Sequence, residues 1–112
     1  MSEPKACVVM VTAPNREEAE RLACAALEAR LAACVQLQPI ASFYWWEGKI
    51  TSDSELLLLF KTVPARFAAL RDLILRHHSY DTPEIISLPV EDGAERYLNW
   101  IGQEATGQAA QD

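Results

Sequence analysis

The chain has 112 residues, half of them hydrophobic and 23% charged, with a formal net charge of −6. That length allows one domain with a real core and leaves no room for two, while the acidic balance opposes nucleic acid and anionic lipid and favours cationic partners, metal ions among them. No run reaches the roughly 18 apolar residues of a membrane span, and the odd set Cys7, Cys24 and Cys34, without a C-x-x-C pair, signals neither a disulfide framework nor a thiolate zinc site.

In chain order, "MSEPKACVVMVTAP" carries an apolar run too short for a secretory signal and no basic leader, so a cytoplasmic location is expected. Within it, "ACVVMVT" (6–12) reads as a buried central strand, with Cys7 as small core filler. Asn15 followed by Glu18 is a capping-box signature, and Ala19, Leu22, Ala23, Ala26, Leu27 and Leu31 recur at helical spacing, predicting a helix over 16–31. From Ala33 the period becomes two, and the extended pattern continues through "IASFYWW", which predicts one long strand with a kink or bulge at Pro39.

The pair "EG" at 47–48 predicts a hairpin turn, although Glu is a poor first residue for it. "KITSDSELLLLFKT" returns as a third strand, apolar throughout from Leu56 to Phe60, as expected where both faces are covered. Pro64 opens a second helix that closes in "HHSYDTP"; "EIISLPV" is a fourth strand whose Pro89 suits an edge or a strand end. "GAERYLNWI" predicts a short last helix, and the small, polar residues after it predict a tail. The whole is one domain over 1–112, with an ordered core of about 5–102 and a flexible tail over 103–112.

The order strand, helix, strand, strand, helix, strand is an α+β, ferredoxin-like βαββαβ sandwich with two helices on one sheet face. Strands apolar on both sides imply cover on both sides, and another copy of the chain is the simplest cover. At roughly 3.3 Å per residue the two hairpin strands would each reach about 45 Å, beyond the ~35 Å of a compact domain of this length. The tip carrying Phe43, Tyr44, Trp45 and Trp46 is therefore expected to project and to pack on a neighbouring subunit, since rows of aromatics belong to interface cores rather than to bare protrusions.

Six segments in register, "TAPN", "LAAC", "WWEGKI", "ELLLLFKT", "HHSYDTPEI" and "YLNWI", resemble the CutA divalent-cation tolerance proteins over residues 6–101. The resemblance implies a tight homotrimer whose sheets face inward and whose hairpins embrace adjacent subunits. It also implies an association with tolerance to copper and other divalent metals. The trimer is similar in architecture to PII signalling proteins, which suggests clefts between subunits for a small ligand or a protein partner.

The candidate metal ligands are Cys34, His77 and His78, because imidazole and thiolate are donors that Cu²⁺ and related divalent cations prefer. Adjacent residues of a helix point about 100° apart, so His77 and His78 share an ion only if the helix unravels at its end; as an alternative, histidines in a last helical turn serve the helix dipole and its free carbonyls. Two positions depart from the family pattern. Val11 stands where members discussed as copper binders carry Cys, and Ser79 replaces the Pro of "HPY". Glu55, Asp81 and Glu84, with Lys49 and Lys61, are candidates to line an intersubunit cleft. No Ser/His/Asp spacing, Gly-rich phosphate loop or H-E-x-x-H is present, so neither an enzyme nor an organic cofactor is expected.

Overall fold

The computed structural model describes residues 4–106. Strand β1 (Cys7–Ala13) leads to helix α1 (Arg16–Glu28), then to the hairpin of β2 (Cys34–Trp46) and β3 (Lys49–Thr62). A 3₁₀ turn (Pro64–Arg66) opens α2 (Phe67–His77), and β4 (Ile85–Pro89) and α3 (Glu95–Thr106) complete the chain. The sheet is antiparallel throughout in the order β2-β3-β1-β4, the ferredoxin-like arrangement expected from the element order.

Alternation along the strands sorts residues onto two faces. Val9 and Val11 of β1 and Leu58 and Phe60 of β3 are fully buried against Leu22 and Ala26 of α1 and Leu70 and Ile74 of α2. Each such side chain contributes roughly 1.5–3 kcal/mol on burial. The opposite face carries Val8, Met10, Leu57 and Leu59, half-buried, and Ile86 and Leu88 of β4, which are 49% and 47% exposed. That face is apolar yet uncovered in a single protomer.

Helix α1 ends earlier than the periodicity predicts. Arg30 adopts φ 59°, Leu31 N–H donates to the Ala26 carbonyl and Arg30 N–H to that of Leu27, which is the double bond of a Schellman motif. Leu31 remains buried because the turn folds it back over the helix end. The reversal also aims the Arg30 guanidinium at Glu104 of α3, 2.7 Å away.

The hairpin differs from expectation in one respect. Its register runs without interruption from Cys34↔Lys61 to Trp46↔Lys49, so no bulge occurs at Pro39. As the sheet's edge strand, β2 has one side free of a ladder, and there a missing N–H is tolerated. The turn is of type I′, with Glu47 at φ 50° and Gly48 at φ 77°. The pair carries the hairpin well past the helices. The molecule measures 50 × 29 × 22 Å with a radius of gyration of 14.9 Å, against about 13 Å for a compact chain of 100 residues. Phe43 and Trp45 are 73% and 72% exposed on this arm.

The expected tail starts too early. Residues 103–106 belong to α3, where Ala105 is fully buried one turn beyond Ile101, Glu104 meets Arg30, and the Arg66 guanidinium donates to the Thr106 carbonyl. Small and polar composition hid a one-sided contact at i, i+4 spacing. Residues 107–112 lie outside the described part of the chain.

Candidate functional site

Helix α2 stops at His77, and His78 is already extended, with ψ 141°. The segment 78–84 then crosses the end of β1 before entering β4. What holds it there is a buried carboxylate from the other helix. Asn15 caps α1 by accepting from Glu18 N–H, but the Glu18 side chain does not reach back to close the box; its Oε2 accepts from both Ser79 N–H and Ser79 Oγ. Burial would raise the Glu18 carboxyl; the two Ser79 bonds, with His78 and Arg21 nearby, outweigh it and hold the carboxyl below its usual range.

The His78 side chain lies fully buried within this junction. Its Nε2 is 2.7 Å from the Thr12 carbonyl, to which it donates, and its Nδ1 accepts from Tyr80 N–H at 3.0 Å, with Glu18 Oε2 3.3 Å away. The ring of Tyr80 stands against the imidazole, centroids 4.8 Å apart, and this sends the phenol towards β3. There Tyr80 Oη donates to Glu55 Oε2 at 2.8 Å. Burial first, and then the Glu55 carboxylate, push the Tyr80 phenol well above its ordinary value.

Between this segment and the root of the arm is a groove of about 1020 Å³. Its lining takes in the aromatics Phe43, Tyr44, Trp45, Trp46 and Tyr80 and the carboxylates Asp53, Glu55, Asp81 and Glu84. Tyr44 donates to Asp53 as Tyr80 does to Glu55, and this bond raises the Tyr44 phenol. Glu84 is raised as well, by burial and then by the charge of Glu55. No Lys, Arg or His is among the lining residues. A second, shallower depression of about 510 Å³ between Lys5 and α3 brings together no cluster of titratable groups.

Residues 7–104 match the model of the CutA1 divalent ion tolerance protein family. The chain belongs to that family. A divalent-cation tolerance protein CutA from Archaeoglobus fulgidus is 47% identical over 95 residues, spanning 85% of this chain and 93% of that protein. One from Thermus thermophilus is 44% identical over 101 residues, 89% of this chain and 97% of the other. The solved A. fulgidus structure, described as a periplasmic divalent cation tolerance protein, superposes with a TM-score of 0.87 at 45% identity, covering 89% of this chain and 98% of its own.

Against the CutA background, the expected ligands do not converge within one protomer. Cys34 pairs with Lys61 at one end of β3, while the Thr12 carbonyl that holds His78 sits opposite Leu57, four residues or about 13 Å along the strand. The helix does unravel at its end, as sharing an ion requires, but both His78 nitrogens are engaged internally. His77 is exposed and Cys34 half-buried. Among the described residues no three His, Cys, Asp or Glu side chains are placed to hold an ion together. The carboxylates Glu55, Asp81 and Glu84 do meet in the groove, whereas Lys49 and Lys61 do not line it. Glu18 was read only as half of a capping box, and Asp53 and Thr12 were not singled out by sequence. Asp53 was within reach of it, because a two-residue turn at 47–48 pairs Asp53 with Ser42 and sets Tyr44 diagonally across.

Proposed function

We propose that this CutA1 chain acts in divalent-metal tolerance as a non-enzymatic homotrimer in the cytoplasm. The observation that carries the assembly is the arm: Phe43, Trp45, Trp46 and Ile50 are each at least 60% exposed on a hairpin that projects from its own core. The uncovered sheet face around Ile86 and Leu88 adds a second exposed apolar surface, of the kind that marks an interaction site. Light scattering on the eluting peak tests it: three chains are expected at micromolar concentration, and a stable monomer overturns the reading. The unpaired thiols of Cys7, Cys24 and Cys34 suit a reducing compartment, which cell fractionation checks.

In this reading a divalent ion, copper included, meets the chain through the exposed His77 and not through a His77, His78 and Cys34 set. Titration with Cu²⁺ and Zn²⁺ separates the two histidines. His77→Ala is expected to weaken binding several-fold and leave the melting temperature unchanged. His78→Ala is expected to lower stability by about 2–3 kcal/mol, because it orphans the Thr12 carbonyl and Tyr80 N–H. Metal affinity unchanged in His77→Ala removes that role.

A second reading is favoured by the groove, which lies beside the arm and so would adjoin a neighbouring subunit if the arm packs on one. It makes the assembly a ligand-responsive sensor in the manner of PII proteins.

A further inference from the structure

Between β4 and α3 the chain passes through residues 91–94, all of them exposed. Val90 N–H donates to the Ala6 carbonyl before this span and Leu98 N–H to the Ala94 carbonyl after it, and among the described residues no backbone hydrogen bond ties down Glu91, Asp92 or Gly93. Within the span Gly93 N–H donates to Asp92 Oδ1 at 2.9 Å. The Asp92 carboxyl thus engages its own neighbour and not the free amides at the start of α3. Because Oδ1 is bonded to Cγ, the Gly93 nitrogen stands within about 4 Å of that carbon, near the roughly 3–3.5 Å that separates a pair of atoms about to react.

Position 93 supplies the other requirement. Glycine has no Cβ to crowd its nitrogen or to restrict the backbone rotation that would bring nitrogen and carboxyl carbon together. Packing keeps this residue small, since a methyl group there would stand 3.3 Å from Leu98 Cδ2. Asp92 alone among the aspartates precedes a glycine; Asp53 and Asp72 lie inside β3 and α2, and Asp81 precedes the branched Thr82.

We infer that Asp92 is a modification site, at which the chain converts spontaneously to isoaspartate through a cyclic imide with Gly93. The Gly93 nitrogen forms a bond to Asp92 Cγ; the Cγ–OH bond of the protonated carboxyl breaks, and its hydroxyl leaves as water with the amide proton. Water then adds back to either imide carbonyl. Cleavage between Gly93 N and Cγ restores Asp92, whereas cleavage between Gly93 N and the Asp92 main-chain carbonyl carbon leaves the backbone running through Cγ and frees an α-carboxylate. Nothing but water enters or leaves, and the charge is unchanged. The product lengthens the main chain by a methylene just before Ala94, whose carbonyl accepts from Leu98 N–H in the first turn of α3. That turn is loosened, while Ile101, Ala105 and the Arg30–Glu104 pair hold the rest of the helix. The freed α-carboxylate is the group that a carboxyl-methylating repair enzyme takes as its substrate. The site lies where Cys7 pairs with Pro89, roughly 20 Å along β1 from Ala13 and the root of the arm, so the inference stands independently of the arm's contacts and of the metal reading.

The test ages the intact protein at mildly acidic and neutral pH. Isoaspartate is read by transfer of a labelled methyl group from a carboxyl methyltransferase and located by fragmentation of the peptide that carries residues 90–96. It is expected to accumulate at Asp92 at least about tenfold faster than at Asp53, Asp72 or Asp81. Asp92→Glu, whose imide would need a larger ring, is expected to accumulate none, and Asp92→Asn, which closes the same imide by expelling ammonia, to react faster than the native chain. Both variants are exposed and close in shape to Asp, and circular dichroism with light scattering checks their fold and assembly. Aged chains are expected to exchange the amides of the first turn of α3 several-fold faster than fresh ones. Asp92 reacting no faster than the other three aspartates overturns the inference, as does an Asp92→Asn chain that keeps its amide, because the loop would then be holding the nitrogen away from Cγ. A synthetic peptide of residues 90–96 is the unfolded reference: reaction in the folded protein slower than in the peptide by more than about tenfold would show that the fold protects Asp92 and would overturn the assignment equally.

Discussion

At the scale of single residues, Glu18 does what its sequence position conceals. Three places after Asn15 it reads as half of a capping box, and its backbone obeys, but the carboxylate crosses to Ser79 and ties the start of α1 to the end of α2. The sequence shows a residue's local options; which one wins depends on a partner 61 residues away. The same holds for His78, legible as a helix-end histidine yet not as the clamp on Thr12. Because the Glu18 carboxyl is held low in the folded state, it stabilises the fold above its unfolded value of about 4.3, and that contribution is lost as pH falls through the lower folded value. Tyr80, raised by burial, works at the other end: its contribution is present below about pH 10 and is lost as pH climbs above it. Glu84 has the sign opposite to Glu18: its raised carboxyl is protonated first as pH falls, which adds stability just above the Glu18 limb. Between that step and the onset of thiol and phenol ionisation a flat melting temperature is expected. Glu18→Gln should flatten the acid limb and lower the plateau by about 1–3 kcal/mol; an acid limb unchanged in this variant would remove Glu18 from the account.

At the scale of elements, pattern and turn chemistry were enough to read the strand and helix order and the hairpin, while Pro89 left β4 as either an edge strand or a strand ending there. Of the kink or bulge expected at Pro39, the bulge is absent because a proline constrains only the side of a strand that has a neighbour, and neighbours are not visible in sequence. The end of α3 was missed because its anchors are few: Ala105, and the contacts Glu104 makes with Arg30 and Thr106 with Arg66. Two non-glycine residues, Arg30 and Glu47, sit in left-handed conformations that Gly or Asn adopt with less strain. At Glu47 the side chain is exposed, so Glu47→Asn should convert the turn to the favoured Asn-Gly pair and stabilise the protein by about 0.5–1 kcal/mol, measured by denaturant midpoint. A loss of stability would mean that Glu47 makes a contact in the assembled protein. Arg30 is a different case, since its strained turn is also what delivers the guanidinium to Glu104.

At the scale of the whole molecule, the apolar surface left on one protomer bears on the proposed assembly. If the arm and the open sheet face are covered only by other copies, the unfolding midpoint must rise with protein concentration, because mass action favours whatever binds the native form. A tenfold dilution series in differential scanning fluorimetry is expected to lower the midpoint progressively. Replacing Trp45 by Ala should steepen that dependence, whereas a midpoint independent of concentration would indicate a self-sufficient chain. The family match speaks for tolerance to divalent ions, while the donor geometry within one protomer speaks against a closed metal cage. The two are compatible if the response to metals runs through something other than an ion buried within one protomer.

The uninterrupted ladder from Trp46↔Lys49 to Cys34↔Lys61 also sets a sequence of events in time. Its pairs close outward from a two-residue turn, so each new contact spans only a slightly longer loop than the last. The pairing of β1 with β3 and β4 must instead gather residues some forty to eighty positions apart. The hairpin is thus expected to form early and its aromatic tip to be covered last, when copies meet. During that interval the most adhesive part of the chain is already shaped and still bare, and the charges of Glu47, Lys49 and Asp53 around the rings are what stands between a nascent subunit and indiscriminate sticking.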